Sequence, residues 1–164
     1  MRVLLSGFQP FGGRKINASW ELARAAGVLA VRLPVEYGKA WPILESVIED
    51  LKPDAVVALG ECPGREFRLE RIAVNLRGAE APACLTALPL ERLGAALTKE
   101  GIPNRVSLCA GDYLCNEVFY HLMRAHAARP FPGGAGFIHV PRDAHRAWPS
   151  AARSILRSLG PRPR

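Results

Sequence analysis

The sequence lacks the features that mark disulfide-stabilised and metal-binding proteins. It has only four cysteines in 164 residues and no Cys-x-x-Cys pair. A chain of this length buries roughly 70% of its unfolded surface and needs no disulfide framework. We therefore expect free thiols in a reducing compartment. The four histidines are not paired with the cysteines at ligand spacing, which argues against a metal site.

Long apolar runs are also missing. No stretch approaches the ~20 consecutive apolar residues that span a membrane, although 49% of all residues are hydrophobic. The N-terminal segment MRVLLSGFQPFGG has one short apolar piece, and a glycine and a proline follow it closely. Because this segment lacks the apolar core and cleavage site of a signal peptide, we expect a first strand there and no membrane partner.

Positive charge is present in excess, with a formal net charge of +7. Such a balance raises the question of a nucleic-acid partner. The basic residues are scattered, and the densest group is the tail with Arg153, Arg157, Arg162 and Arg164. Aromatic residues are not interleaved with them in a stacking pattern. We therefore expect no nucleic-acid partner.

Apolar runs of strand length alternate with apolar patterns of helical period. The runs predict strands at 2–7, 28–35, 55–59, 70–75, 106–109 and 137–140. The helical patterns predict helices at 18–26, with Asn17 as N-cap, and at 37–51, 90–100, 115–128 and 144–159. Segment 77–89 has no clear pattern. The alternation predicts an α/β fold in one domain, 1–164, as a three-layer α/β/α sandwich around a mostly parallel central sheet.

Four loops follow predicted strands, after Gly7, Gly60, Cys109 and Val140. In α/β sheets the ligand site lies beyond the carboxyl ends of the strands. The pattern therefore predicts that these four separated segments lie close together.

The most informative stretch is 105–123, RVSLCAGDYLCNEVFYHLM. It predicts a buried strand, a tight turn at Ala110-Gly111 and a helix with Cys115 in or near its first turn. Unpaired N–H groups at a helix start favour a thiolate and can hold an oxyanion. A buried structural cysteine is the alternative interpretation, because free cysteine often acts as a small hydrophobic residue.

Four segments, in order along the chain, resemble the motifs of one enzyme family. They are SGFQPFGG at 6–13, GECPGREFRLERIAVN at 60–75, CAGDYLCNEVFYHLM at 109–123 and GFIHVP at 136–141. Together they resemble the pyroglutamyl peptidase I family, also called pyrrolidone-carboxylate peptidases. Its members are cytosolic cysteine peptidases with a Cys-His-Glu triad.

The resemblance implies catalytic roles for Cys115 as nucleophile, His139 as base and Glu70 as the carboxylate that orients the base. The chemistry fits these residue types, since a cysteine hydrolase needs a thiolate, a proton acceptor and an orienting group. Each residue also has an ordinary alternative. His139, within an apolar strand, could be a satisfied core histidine, and Glu70 could form a surface ion pair with Arg68 or Arg71.

The resemblance also implies a substrate and a pocket. The family removes an N-terminal pyroglutamyl residue from peptides, so the pocket should be apolar and uncharged. Phe8 and Phe11 match the aromatic pair that encloses the lactam ring, with core packing of the loop as their alternative. Tyr113 and Leu114 match further lining positions. The resemblance implies no metal or organic cofactor, a cytoplasmic location and a homo-oligomer, either a dimer or a tetramer.

Three departures from the family pattern leave other functions open. The piece 60–70 is one residue shorter than usual. Glu61 stands where relatives carry a neutral residue, and a carboxylate near a lactam costs desolvation energy. The segment 76–87 replaces a long excursion, and Arg77 is not at the offset of the arginine that the excursion carries. A degenerate relative that acts on another small amide, or a non-catalytic peptide-binding or oligomeric protein, is therefore the alternative.

Overall fold

A computed structural model describes residues 1–78, 81–143 and 145–160. The strands are β1 (Val3–Phe8), β2 (Leu29–Leu33), β3 (Ala55–Cys62), β4 (Phe67–Glu70), β5 (Ile72–Val74), β6 (Ala83–Leu85), β7 (Asn104–Ser107) and β8 (Ala135–Pro141). The helices are α1 (Ala18–Ala25), α2 (Ala40–Leu51), α3 (Leu90–Lys99), α4 (Leu114–Ala128) and α5 (Trp148–Ser158), with a 3-10 helix (His145–Ala147) before the last.

Six strands form the central sheet in the order β2-β1-β3-β8-β4-β7. All neighbours are parallel except β4 and β8, which pair antiparallel. Strands β5 and β6 form a separate antiparallel pair. The carboxyl ends of β1, β3 and β8 therefore meet at one edge of the sheet, whereas β4 and β7 run in the opposite direction.

Helices cover both faces of this sheet. Alternate strand residues face one apolar core shared with α1, α3 and α5, and a second core shared with α2 and α4. A sheet buried on both sides explains why β1 and β8 are buried at every position. The predicted three-layer α/β/α sandwich with a mostly parallel sheet is confirmed. Within the described ranges, no helix is long and apolar enough to cross a membrane.

The first loop and helix are fixed by local chemistry. The Asn17 side chain accepts a hydrogen bond from the Ser19 N–H at 3.0 Å, so the predicted N-cap is confirmed. A Cβ at Gly7 would lie 2.6 Å from the backbone of Ser19 and Trp20. Only glycine therefore lets α1 pack this closely on the end of β1.

The predicted single strand at 70–75 is wrong, because it contains two strands in two sheets. The chain breaks at Arg71, whose N–H donates to the Ser107 carbonyl at 2.8 Å. The Arg71 carbonyl in turn accepts from the Thr86 N–H at 2.9 Å. The residues before Arg71 thus pair within the central sheet, and those after it pair with β6. Strand β6 lies in the segment that had no clear pattern.

The prediction of a buried strand at 106–109 is also wrong. The strand is β7, it ends at Ser107, and it lies at the edge of the sheet. Val106 and Leu108 are exposed as a consequence. The last helix begins later than predicted, after the 3-10 helix. Ala144, where the helix was expected to begin, lies outside the described residues.

Candidate active site

A pocket of about 210 Å³ lies at the edge where β1, β3 and β8 end. It is smaller than the roughly 300–1,000 Å³ of sites for drug-sized ligands, which suits a small ring. Its lining comes from the loops after Gly7, Gly60 and Cys109, from the end of β2 and from β8, and consists of Phe8, Phe11, Asn17, Val35, Glu61, Ala110, Tyr113, Leu114, Cys115 and His139. The predicted proximity of these segments is confirmed, since Arg142, which follows Val140, also reaches Glu61. The reason given for it fails for Ala110, because β7 runs in the opposite direction to β1, β3 and β8.

His139 and Glu70 form a buried pair below this pocket. His139 lies on β8 beside Gly60 of β3 and Arg68 of β4. Glu70 is opposite Phe137, so it is a diagonal neighbour of His139 on the same sheet face. The His139 Nδ1 and Glu70 Oε1 atoms are 2.7 Å apart, and Glu70 is fully buried. The surface ion pair considered for Glu70 is therefore wrong.

Cys115 is the second residue of α4 and lies against the sheet at Gly60. A Cβ at Gly60 would be 2.8 Å from Cys115 Sγ and 2.7 Å from the Phe137 ring. Only glycine leaves room for the sulfur above β3. The neighbouring Asn116 side chain accepts from the Val74 N–H at 2.9 Å and donates to the Val74 carbonyl at 2.7 Å. The start of α4 is thus held between the two sheets.

The environment of Cys115 favours the neutral thiol. Burial raises the pKa of Cys115 to about 12, and the Glu70 charge acts in the same direction. A backbone N–H at Cys115 opposes this shift but does not reverse it. The backbone N–H at the helix start thus favours the thiolate, as expected, but burial outweighs it. In the described parts of the chain Cys115 and His139 share no hydrogen bond, although both line the pocket.

Two buried thiols predict a loss of stability at alkaline pH. Burial raises the pKa of Cys62 to about 11 and that of Cys115 to about 12, from an ordinary 9.0. Between pH 9 and 11 the unfolded chain therefore binds fewer protons than the folded protein. The free energy of unfolding should fall as pH rises there, by up to about 1.4 kcal/mol per pH unit for each thiol. Urea denaturation at pH 8, 9, 10 and 11 measures this slope.

The matched variants for this slope are Cys62→Ala with Cys115→Ala, and Cys109→Ala alone. We expect a shallower slope in the double variant and an unchanged slope in Cys109→Ala, because Cys109 is exposed. Equal slopes in the wild type and the double variant would contradict the assignment.

The four predicted lining residues all lie at the pocket, at different depths. Phe8 and Leu114 are buried, whereas Phe11 and Tyr113 are 45% and 52% exposed. The buried pair forms the floor, and the exposed pair stands at the mouth. Phe8 also belongs to the apolar core, so the core-packing interpretation and the lining interpretation both apply to it.

Arg77 supports the mouth of the pocket indirectly. Its guanidinium carbon lies 4.0 Å from the centre of the Tyr37 ring. Tyr37 in turn packs edge-on against Tyr113, with ring centres 4.9 Å apart. Arg77, in the short segment after Asn75, thus reaches the pocket through the edge-on pair of Tyr37 and Tyr113.

The Glu61 carboxylate, which was expected to cost desolvation energy near a lactam, is paired in the structure. Glu61 Oε1 contacts the terminal nitrogen of Arg14 and accepts from Arg142 Nε at 3.1 Å. Its Oε2 accepts from the Ala18 N–H at 2.7 Å, at the start of α1. The charge is compensated, so the pocket keeps its apolar character despite this residue.

Sequence reasoning missed several residues of the site. Val35 and Ala110 add apolar lining, and Asn17 lines the pocket while capping α1. The role of Asn116, whose side chain binds the backbone of β5 at Val74, was also missed. The position of Asn116 next to Cys115 was the available signal, but its partner Val74 is 42 residues away.

The described part of the chain offers no metal centre, since it has no group of three or more histidine, cysteine, aspartate or glutamate side chains that could hold an ion. A larger pocket of about 590 Å³ lies around Arg71, Leu85 and the start of α3. It contains none of the candidate catalytic residues. Cys115 and His139 line the smaller pocket instead.

Comparison with known proteins identifies the family. The family described as Pyroglutamyl peptidase matches residues 1–84 and 77–147. A pyrrolidone-carboxylate peptidase of Pyrococcus furiosus is 38% identical over 168 residues, which cover 86% of this chain and 81% of that protein. One of Gloeobacter violaceus is 39% identical, with 86% and 82% covered.

A solved structure gives the same result. The crystal structure of pyroglutamyl peptidase I from Bacillus amyloliquefaciens superposes with a TM-score of 0.83 at 28% identity, covering 96% of this chain and 92% of that one. The family match consists of two pieces that meet at 77–84, which agrees with a shortened segment there. The resemblance of the motifs is thus confirmed, and the chain belongs to the pyroglutamyl peptidase family.

Proposed function

We propose that this protein is a cysteine exopeptidase that removes an N-terminal pyroglutamyl residue from peptides. The observation that carries the proposal is the buried His139–Glu70 pair, joined at 2.7 Å, in a small pocket that also contains Cys115. The apolar lining suits an uncharged lactam ring. A free N-terminal ammonium would lose its hydration there without a partner, which explains selection for the blocked terminus.

His139 is the base in this proposal. Its Nδ1–H donates to Glu70, which leaves Nε2 to take the proton from Cys115. Because burial opposes a free thiolate, the thiolate forms only as an ion pair with the His139 imidazolium. Glu70 stabilises that imidazolium and fixes its orientation.

The reaction then follows acyl transfer. The sulfur attacks the pyroglutamyl carbonyl carbon, and the N–H groups of Leu114 and Cys115 hold the resulting oxyanion, since the first N–H groups of a helix have no intrahelical partner. His139 returns the proton to the leaving amine, and a thioester remains on Cys115. Water, activated by the same histidine, hydrolyses the thioester and releases pyroglutamate.

Phe8 and Phe11 enclose the lactam ring from the floor and the mouth of the pocket, and Leu114 and Tyr113 complete its walls. Their support is their shared lining of the pocket. A cytoplasmic location and a homo-oligomer, dimer or tetramer, are also part of the proposal. Four free cysteines support a reducing compartment. The oligomer stays a prediction from the family resemblance.

Hydrolysis of a fluorogenic pyroglutamyl amide tests this function directly. The matched prolyl and glutamyl amides are the controls. The prolyl amide has the ring without the lactam carbonyl, and the glutamyl amide is the open form with a free ammonium and a carboxylate. We expect turnover of the pyroglutamyl substrate alone. Turnover of a control in preference to it would indicate a different small amide as substrate. A folded protein that turns over none of the three would be a binding or structural relative.

A further inference from the structure

A second pocket of about 200 Å³ adjoins the catalytic pocket, with Glu61 lining both. We call it the Arg14–Arg142 pocket. Its lining consists of Arg14, Ile16, Ala18, Glu61, Arg142 and Trp148. Two cations and two large apolar side chains thus surround one cavity beside the candidate active site.

The carboxylate in this pocket is fully engaged. The Glu61 side chain is only 3% exposed, and two arginines and the Ala18 N–H bind its oxygens. It therefore acts as an anchor that holds both guanidinium groups at the cavity wall. Glu61 repels a second anion less than an unpaired carboxylate would, because its charge is already compensated.

The pocket retains a positive excess. Two guanidinium groups face one carboxylate, and the positive end of α1 adds to them at Ala18. Arg142 uses its Nε on Glu61 and is half-exposed, whereas Arg14 uses a terminal nitrogen. A guanidinium carries five N–H donors, so each arginine keeps donors for a ligand. Within the described residues Arg14 Nε is buried and has no partner.

Arg142 links the Arg14–Arg142 pocket to the leaving group of the reaction, because it lies close to His139 along the chain. Arg142 is three residues beyond His139, at the end of β8, and its N–H donates to the Cys62 carbonyl at 2.9 Å. His139 has to protonate the leaving amine. The residue that carries this amine therefore lies next to His139. The Arg14–Arg142 pocket shares Glu61 with the catalytic pocket, so a peptide chain that leaves the catalytic pocket has this second cavity beside it.

We propose that the Arg14–Arg142 pocket is the subsite for the residue that follows pyroglutamate, and that it selects an acidic side chain at that position. A carboxylate there accepts charge-assisted hydrogen bonds from the arginines. Ile16 and Trp148 supply apolar contact for the methylene groups of that side chain. Trp148 is held in place because its indole N–H donates to the Pro141 carbonyl at 3.3 Å. This inference rests on the proposed peptidase function.

The test compares three peptides that differ at one side chain: pyroglutamyl-X-alanine amides with glutamate, glutamine or lysine as X. Glutamate and glutamine have nearly the same shape, and the amidated end removes the terminal carboxylate. Release of pyroglutamate is measured by chromatography. We expect kcat/KM for glutamate to exceed that for glutamine roughly three- to tenfold, with lysine lowest.

Variants assign the preference to the pocket. In Arg142→Gln the glutamate-to-glutamine ratio should fall to within about twofold of one, and Arg142→Glu should favour lysine over glutamate. Because each ratio is measured within one protein, a general loss of activity cancels. Arg153→Gln is the matched control, since it removes one positive charge from an exposed position on α5 outside the pocket. Its ratio should equal that of the wild type.

The outcomes separate this inference from the function on which it rests. Hydrolysis of all three peptides with a wild-type ratio near one overturns the acidic subsite and leaves the peptidase function standing. A wild-type preference that survives unchanged in Arg142→Gln and Arg142→Glu also overturns it. Failure to hydrolyse any of the three peptides overturns both.

Discussion

Replacing Cys115 with alanine is expected to lower kcat for a pyroglutamyl amide on the order of 10⁴-fold or more. The thioester cannot form without the sulfur, and His139 alone can only activate water. The fold should persist, because the change removes only the sulfur and the hydrogen bonds that hold the start of α4 come from the neighbouring Asn116. Steady-state fluorescence assays with the purified variant measure the loss, and circular dichroism confirms the fold.

Cys109→Ala is the control for this experiment, since Cys109 is an exposed thiol outside the pocket lining. We expect it to keep wild-type kcat. A Cys115→Ala protein that retains more than about 1% of wild-type kcat would show that the sulfur is not the nucleophile.

The exchange Glu70→Gln should separate activity from stability. We expect kcat to fall roughly 10³- to 10⁴-fold, because an amide that donates to His139 Nδ1 leaves the proton on Nε2. Nε2 then cannot accept the proton of Cys115. The free energy of unfolding should stay equal or rise by about 1 kcal/mol, because the change removes a fully buried charge whose Oε2 has no partner in the described residues.

Glu70→Ala provides the contrast. It leaves a cavity and an unpaired His139 Nδ1, so we expect the free energy of unfolding to fall by about 2–3 kcal/mol in addition to the loss of kcat. Urea denaturation of both variants beside the wild type measures the difference. If Glu70→Gln kept more than a tenth of wild-type kcat, Glu70 would not be orienting the base.

The sequence predicted the layers of the fold better than the order of the strands. Continuous apolar runs marked β3 and β8, because strands buried on both faces need them. The run at 106–109 looked equally buried but belongs to the edge strand β7. Strand order depends on pairing between distant segments, which no local pattern encodes. The break at Arg71 has the same origin, since it arises from hydrogen bonds to Ser107 and Thr86.

The residues of the candidate site could be predicted from the sequence. The pKa of Cys115 and the ion-pair partners of Glu61 could not. The motif resemblance placed Cys115, His139 and Glu70, and these residues lie in one region of the fold. Burial, which determines the pKa of Cys115, depends on the whole surrounding core. The partners of Glu61 come from segments 47 and 81 residues away along the chain. Its compensation therefore becomes visible only once the sheet is assembled.

The place of β8 in the sheet has a consequence for how activity arises during synthesis. Strands β1 to β3, and likewise β4 with β7, can pair before β8 has left the ribosome, but in the described part of the chain no strand other than β8 pairs with both groups. Insertion of β8 between β3 and β4 unites them and, in the same event, brings His139 beside Gly60 and within reach of Glu70. Pairing over such sequence distances is slow and comes late. A nascent or partly unfolded chain therefore carries a thiol without a base, and peptidase competence coincides with closure of the sheet.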